Sequence, residues 1–148
     1  MDYPTHSSAQ TLIPFENLSV GMSASVTRPV TEMDVFKFAD VSGDSNPIHL
    51  DEECASASVF KTRVAHGMLT ASFISAVLGT KLPGSGAIYV NQSLKFKAPV
   101  KIGDRVTTRV EVAEKNPDRN RVTFKTQCFV GDKLVVDGEA MLMVPGRD

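Results

Sequence analysis

Apolar positions along the chain change period partway. Residues 22–30, MSASVTRPV, alternate in part and predict a strand. Val35, Phe38, Ala39 and Ser42 then fall at i, i+3, i+4 and i+7, a helical spacing. Thr31 is placed to cap that helix and Gly43 to end it. Pro47 drives Asn46 out of the helical region, so Asp44 to Ile48 predicts a turn, after which Asp51 caps a short helix to about Val59. From Met68 to Leu78 every residue is apolar or small and none is charged. A helix with no polar face predicts burial on all sides. Gly79, Pro83, Gly84 and Gly86 end it and open a loop.

The second half is written in strands. AIYVNQSLKFKAPV, DRVTTRVEVAEKN, RVTFKTQCFV and KLVVDGEAMLMV are rich in Val, Thr, Ile and Phe, with turn segments at residues 116–120 and 131–133. Short links predict an antiparallel sheet. The fold class is therefore α+β, a curved antiparallel sheet around one long central helix, with a second copy of the chain covering the helix's remaining face. Residues 1–14 are polar, hold two prolines and His6, and predict a flexible arm; residues 15–148 form a single domain.

Composition narrows the partners. The chain has 148 residues and a net charge of −1, from 16 basic and 17 acidic side chains, so one core is expected and no global field recruits nucleic acid or an anionic membrane. An anionic ligand would have to be met by local Lys and Arg. No apolar run is long enough to span a bilayer, and the first basic residue is Arg28, so a cytoplasmic protein without a signal segment is expected. Cys54 and Cys128 form no CxxC pattern and are expected as two buried, reduced thiols.

Asp44, His49 and His66 are the residues able to carry chemistry. On a helix, two side chains five residues apart diverge by about 140°, whereas a turn fixed by Pro47 can aim Asp44 and His49 at one point. Each has a plainer role open to it: Asp44 as a turn residue, His49 as a loop histidine, His66 as a cap or packing ring. Gly67, at or just before the start of the apolar helix, is either an unpaired backbone donor or a flexible glycine. Together they suggest a general acid, a general base and an oxyanion donor. A metal set of Asp44, His49, His66 and Asp51 matches no known ligand spacing, and there is no GxSxG elbow, P-loop or GxGxxG.

FADVSGDSNPIHLD, residues 38–51, resembles the hydratase-2 motif of the MaoC-like, (R)-specific enoyl-CoA hydratases. VAHGML and IYVNQSLKFKAPVKIGD, residues 64–69 and 88–104, resemble the family's next two blocks, in the right order. The resemblance implies the hot-dog fold, a single-hot-dog (PhaJ-type) chain, a homodimer, and reversible syn hydration of trans-2-enoyl-CoA to (R)-3-hydroxyacyl-CoA. It implies Asp44 and His49 as the catalytic pair, Gly67 as backbone donor to the thioester oxygen, and Ser75 as a serine near the pair. No metal or organic cofactor is implied; CoA belongs to the substrate. Leu78 and Leu142 are expected near the closed end of an acyl channel, which favours short chains such as crotonyl. The alternatives are an acyl-carrier-protein dehydratase, an acyl-CoA thioesterase, or a non-catalytic acyl-CoA-binding protein on the same fold. Lys95 and Lys97 share one strand face, Leu94, Phe96 and Ala98 the other, and the lysines read as an ordinary solvated face.

Overall fold

The computed structural model describes residues 11–147. In chain order it contains β1 (Ser23–Pro29), α1 (Glu32–Ser42), α2 (Pro47–Leu50), α3 (Glu52–Ser56), α4 (Gly67–Thr80), β2 (Ile88–Phe96), β3 (Arg105–Asn116), β4 (Arg121–Val130) and β5 (Lys133–Met143). The strands form one antiparallel sheet in the order β1-β3-β4-β5-β2.

The inner face of this sheet follows the period of two. Val106, Thr108, Val110 and Val112 on β3 are buried, as are Val122, Phe124, Thr126 and Cys128 on β4. Against them lies α4, which contributes Leu69, Phe73, Ile74, Val77 and Leu78 to the core. Local signals at α1 act as expected. Thr31 and Asp34 cap the start reciprocally, and Gly43 ends it in the left-handed region at φ 80°.

Three details differ from the sequence-based expectation. First, β2 does not pair with its successor β3 but crosses to the far edge beside β5. Residues 97–104 make that crossing, held by Lys97 N–H to Val135 O at 2.8 Å and Ala65 N–H to Val100 O at 2.7 Å. The link thus runs past the start of α4, where it becomes a wall of the site. Second, Asp44 to Ile48 is not all turn. Asn46 is extended, as a residue before proline must be, but Pro47 itself opens α2, because its fixed φ suits the first helical position and the Asn46 side chain caps Ile48 N–H at 3.2 Å. Third, Cys54 is exposed, whereas Cys128 is buried; Cys54 lies on the outer side of α3, whose buried residue is Ala55. As expected of a helix whose remaining face is left for a second copy, α4 is not covered all round within one chain. Met68, Ser72, Ser75, Ala76 and Gly79 form one exposed stripe, because a single sheet covers only one side of a helix.

Of the arm expected over residues 1–14, residues 1–10, including His6, lie outside the described residues. Leu12 and Ile13 pack against the core, and Ile13 N–H donates to Pro83 O at 2.8 Å.

Gly138 is the tightest point of the sheet. A Cβ there would lie 2.0 Å from the backbone oxygen of Ser93 on the neighbouring β2, with the Gln92 side-chain nitrogen at 3.1 Å. Backbone cannot yield as a side chain can, so Gly138→Ala is expected to destabilise the protein by at least about 1–3 kcal/mol, read by denaturant unfolding.

Candidate active site

A cavity of about 520 Å³ opens at the N-terminal end of α4. Asp44, His49, His66 and Gly67 line one part of it; Ile48, Phe60, Val64, Phe96 and Val136 give it apolar walls, to which Thr70 adds a buried hydroxyl with no partner among the described residues, and Ala98, Pro99 and Val100 come from the β2–β3 crossing. Stretches of chain far apart in sequence therefore meet here.

The 44–49 segment is locked from within. Asp44 Oδ1 accepts the Asn46 N–H at 3.3 Å, and His49 N–H donates to Asn46 O at 3.0 Å. It is also locked from outside. His49 Nδ1 donates to Val64 O at 2.7 Å, Val64 N–H donates to Ile48 O at 3.3 Å, and Arg63 Nε donates to His49 O at 2.8 Å. Arg63 is in turn held by Glu32 at 2.7 Å and lies over the Phe36 ring, tying α1 to α2. Since a carbonyl can only accept, the His49 proton sits on Nδ1, leaving Nε2 as a bare base.

Asp44 and His49 differ in environment. Asp44 is exposed, while His49 is buried at 8% exposure. Burial lowers the pKa of His49 below its ordinary value; the bond to Val64 O opposes this, the neighbouring His66 adds to it, and Asp44 opposes it. His49 is thus neutral at pH 7, the state in which Nε2 can take a proton.

The backbone completes the arrangement. Gly67 opens α4, and His66 at the cap position makes no side-chain capping bond. The Gly67 N–H is among the first-turn amides that an α-helix leaves without an internal partner, at the positive end of the dipole. A Cβ at Gly67 would lie 2.8 Å from Cε1 of Phe96, so glycine is what lets the Phe96 ring close on this turn.

The structure thus gathers Asp44, His49 and Gly67 around one cavity. It does not bring Ser75, Leu78 or Leu142 to it: Ser75 sits on the exposed stripe of α4, and Leu78 and Leu142 lie in the core at 1% and 2% exposure. Asp51 caps α3 by accepting Cys54 N–H at 3.2 Å and is absent from the cluster. Asp44, His49 and His66 each offer one ligand atom within 4.8 Å of the others, so this trio is where a metal ion could be held. Sequence reasoning read Lys97 as part of an ordinary solvated face, whereas it reaches the cavity from the strand end, and it passed over Phe60, which lies between named elements. Neither carries a local signal, since the β2–β3 crossing brings Lys97 in and the loop after α3 brings Phe60.

Comparison with known proteins agrees with this geometry. A family model described as MaoC like domain matches residues 17–139. The chain is 58% identical over 133 residues to an (R)-specific enoyl-CoA hydratase of Rhodospirillum rubrum, covering 90% of this chain and 92% of that one. It is 51% identical over 134 residues to a 3-hydroxybutyryl-CoA dehydratase of Methylorubrum extorquens, covering 90% and 85%. The R-hydratase PhaJ1 of Pseudomonas aeruginosa, solved unliganded, superposes with a TM-score of 0.87 at 48% identity over 92% of this chain and 88% of that one.

The lowered pKa of His49 has a consequence for stability. Below its ordinary value of 6.5 the unfolded chain binds a proton that the folded chain resists. The stabilisation is therefore complete above pH 6.5 and is lost as pH falls toward the folded value. Thermal melts of the wild type should drop over that range more steeply than those of His49→Gln; parallel curves would contradict the assignment.

Proposed function

Since the chain belongs to the MaoC-like domain family, we propose that it is an (R)-specific enoyl-CoA hydratase, adding water reversibly and syn across a trans-2-enoyl-CoA to give the (R)-3-hydroxyacyl-CoA. The observation that carries this is the convergence of Asp44, His49 and the Gly67 amide on one cavity. C3 of an enoyl thioester becomes electrophilic only as negative charge moves onto the thioester oxygen. An unpaired amide at a helix N-terminus stabilises that charge. Asp44, ionised, accepts a proton from the water that attacks C3. His49 Nε2 accepts a hydrogen bond from the same water and orients it, and the proton taken up by Asp44 is relayed through His49 Nε2 to C2, so both groups end as they began. Both act from one side of the double bond, which makes the addition syn. Every step is performed by these groups and the substrate, without metal or organic cofactor.

Three finer assignments follow. The functional unit is a homodimer, supported by the uncovered stripe on α4 and by the edge strand β2, where Ile88, Tyr89, Val90 and Phe96 are 53%, 40%, 42% and 52% exposed. Ser75, about 12 Å along α4 from Gly67, then approaches a catalytic pair across the subunit boundary. The preferred acyl chains are short, supported by the relative named for the four-carbon 3-hydroxybutyryl-CoA. Its place is the cytoplasm, where the exposed thiol of Cys54 suits a reducing compartment.

Addition of the protein to crotonyl-CoA is expected to remove the conjugated enoyl absorbance without releasing thiol. Asp44→Asn and His49→Ala should each reduce kcat by about 10²–10⁴-fold. Thiol release would mean a thioesterase; turnover only of carrier-protein thioesters, a dehydratase; and ligand-induced stabilisation without turnover, a binding protein. Leu78 and Leu142 lie in the core and do not line the cavity, but an acyl chain that penetrates to them would gain room in Leu78→Ala and Leu142→Ala, which should then shift the chain-length profile toward longer enoyl-CoAs; an unchanged profile removes both from the acyl channel.

A further inference from the structure

His66 is a buried polar group at the cavity for which the hydration steps have no task. It is 1% exposed. Its Nε2 donates to the backbone oxygen of Asp44 at 2.9 Å, twenty-two residues earlier in the chain. Its ring stacks on that of His49, centroids 3.9 Å apart and planes 29° from parallel, and Phe38 closes the other flank at 4.9 Å and 54°. Its Nδ1 is buried with no partner among the described residues.

Neither plain role explains this. As a helix cap, the side chain would accept from an amide of the first turn, and it does not. As a packing ring, an apolar side chain would fill the same space without burying two ring nitrogens, one of them unpaired. What the imidazole does, and an apolar ring would not, is hold Asp44 with its edge while holding His49 with its face.

We propose that His66 is a positioning residue for the hydration reaction, setting the separation of Asp44 and His49 through one hydrogen bond and one ring stack. Asp44 needs such a tie. Its side chain is exposed, and inside its own segment it is held only by short-range contacts, the Asn46 N–H on its carboxylate and the Ser42 hydroxyl on its N–H at 3.1 Å. His49 is anchored on its far edge by Val64 O, so the stack from His66 limits the remaining tilt of the ring. A single residue at the start of α4 thereby refers both reacting groups to the helix that carries the Gly67 amide. A shift of about 1 Å between reacting groups costs on the order of 10²-fold in rate.

The inference rests on the hydratase assignment, so wild-type turnover of crotonyl-CoA is measured first; failure there concerns that assignment alone. Given an active wild type, His66→Phe keeps a stacking ring and removes the donor, while His66→Gln keeps a donor near the Nε2 position. His66→Phe is expected to lower kcat by about 10²-fold with KM unchanged, and His66→Gln to recover most of that loss. His66→Met, matched in length to glutamine but without a donor, gives the same comparison should the phenylalanine variant fail to fold. Wild-type kcat in a donorless variant would overturn the proposal. So would a loss equal in the folded glutamine and methionine variants, or a loss that merely tracks the folded fraction in near-ultraviolet circular dichroism.

Discussion

The organisation of this molecule depends on leaving the first amides of α4, at Gly67 and Met68, without a side-chain cap. Helix ends are ordinarily capped because a buried amide without a partner is costly. Here the cap position is occupied by a histidine whose side chain bonds Asp44 instead. Next to it is a glycine whose missing Cβ admits Phe96. Gly67 and Met68 are exposed, so their amides face the open cavity and not packed protein. The walls of that space are supplied by α2, by the 64–66 segment and by the β2–β3 crossing, and each approaches the same helix end.

Two ionisable groups with separate environments stand over that helix end. Asp44 keeps access to solvent, whereas His49 is enclosed and burial lowers its pKa. Groups pushed apart in this way can divide the work of a proton transfer, one taking what the other gives. Neither environment is made by the pair itself. His49 owes its burial to Val64 and the stacked His66, and its orientation to a carbonyl fifteen residues away in sequence.

Much of this was legible from residue order alone. Thr31, Gly43, Asn46 and Asp51 act where their chemistry says they should, because caps and turns are decided within a few residues. The alternating strands and the uncharged helix were equally plain. The Asp44–His49 pair and Gly67 were readable because proline and glycine carry backbone geometry in their identity. What escaped depends on distance along the chain. Nothing near Ile88 announces that β2 joins β5 and not β3, and nothing near Lys97 places it at the cavity. The absence of charge on α4 was informative about a buried helix but silent about which side one chain can bury. For Pro47, the rule for the residue before it held, while its own suitability to begin a helix was the stronger influence on what came next.

The crossing of β2 to the far edge bears on how the chain is made. Lys97 and Ala98 hydrogen-bond to Val135, and Phe96 is paired with Val136. A ribosome therefore delivers the 44–49 segment, the central helix and the strand beside the cavity before it delivers the strand that secures them. Until β5 emerges, β2 has no neighbour in its own sheet, and the nascent chain carries its reactive residues on an unfinished scaffold. Closure of the cavity wall is thus coupled to completion of synthesis, so half-made chains should neither bind nor turn over what the finished protein does.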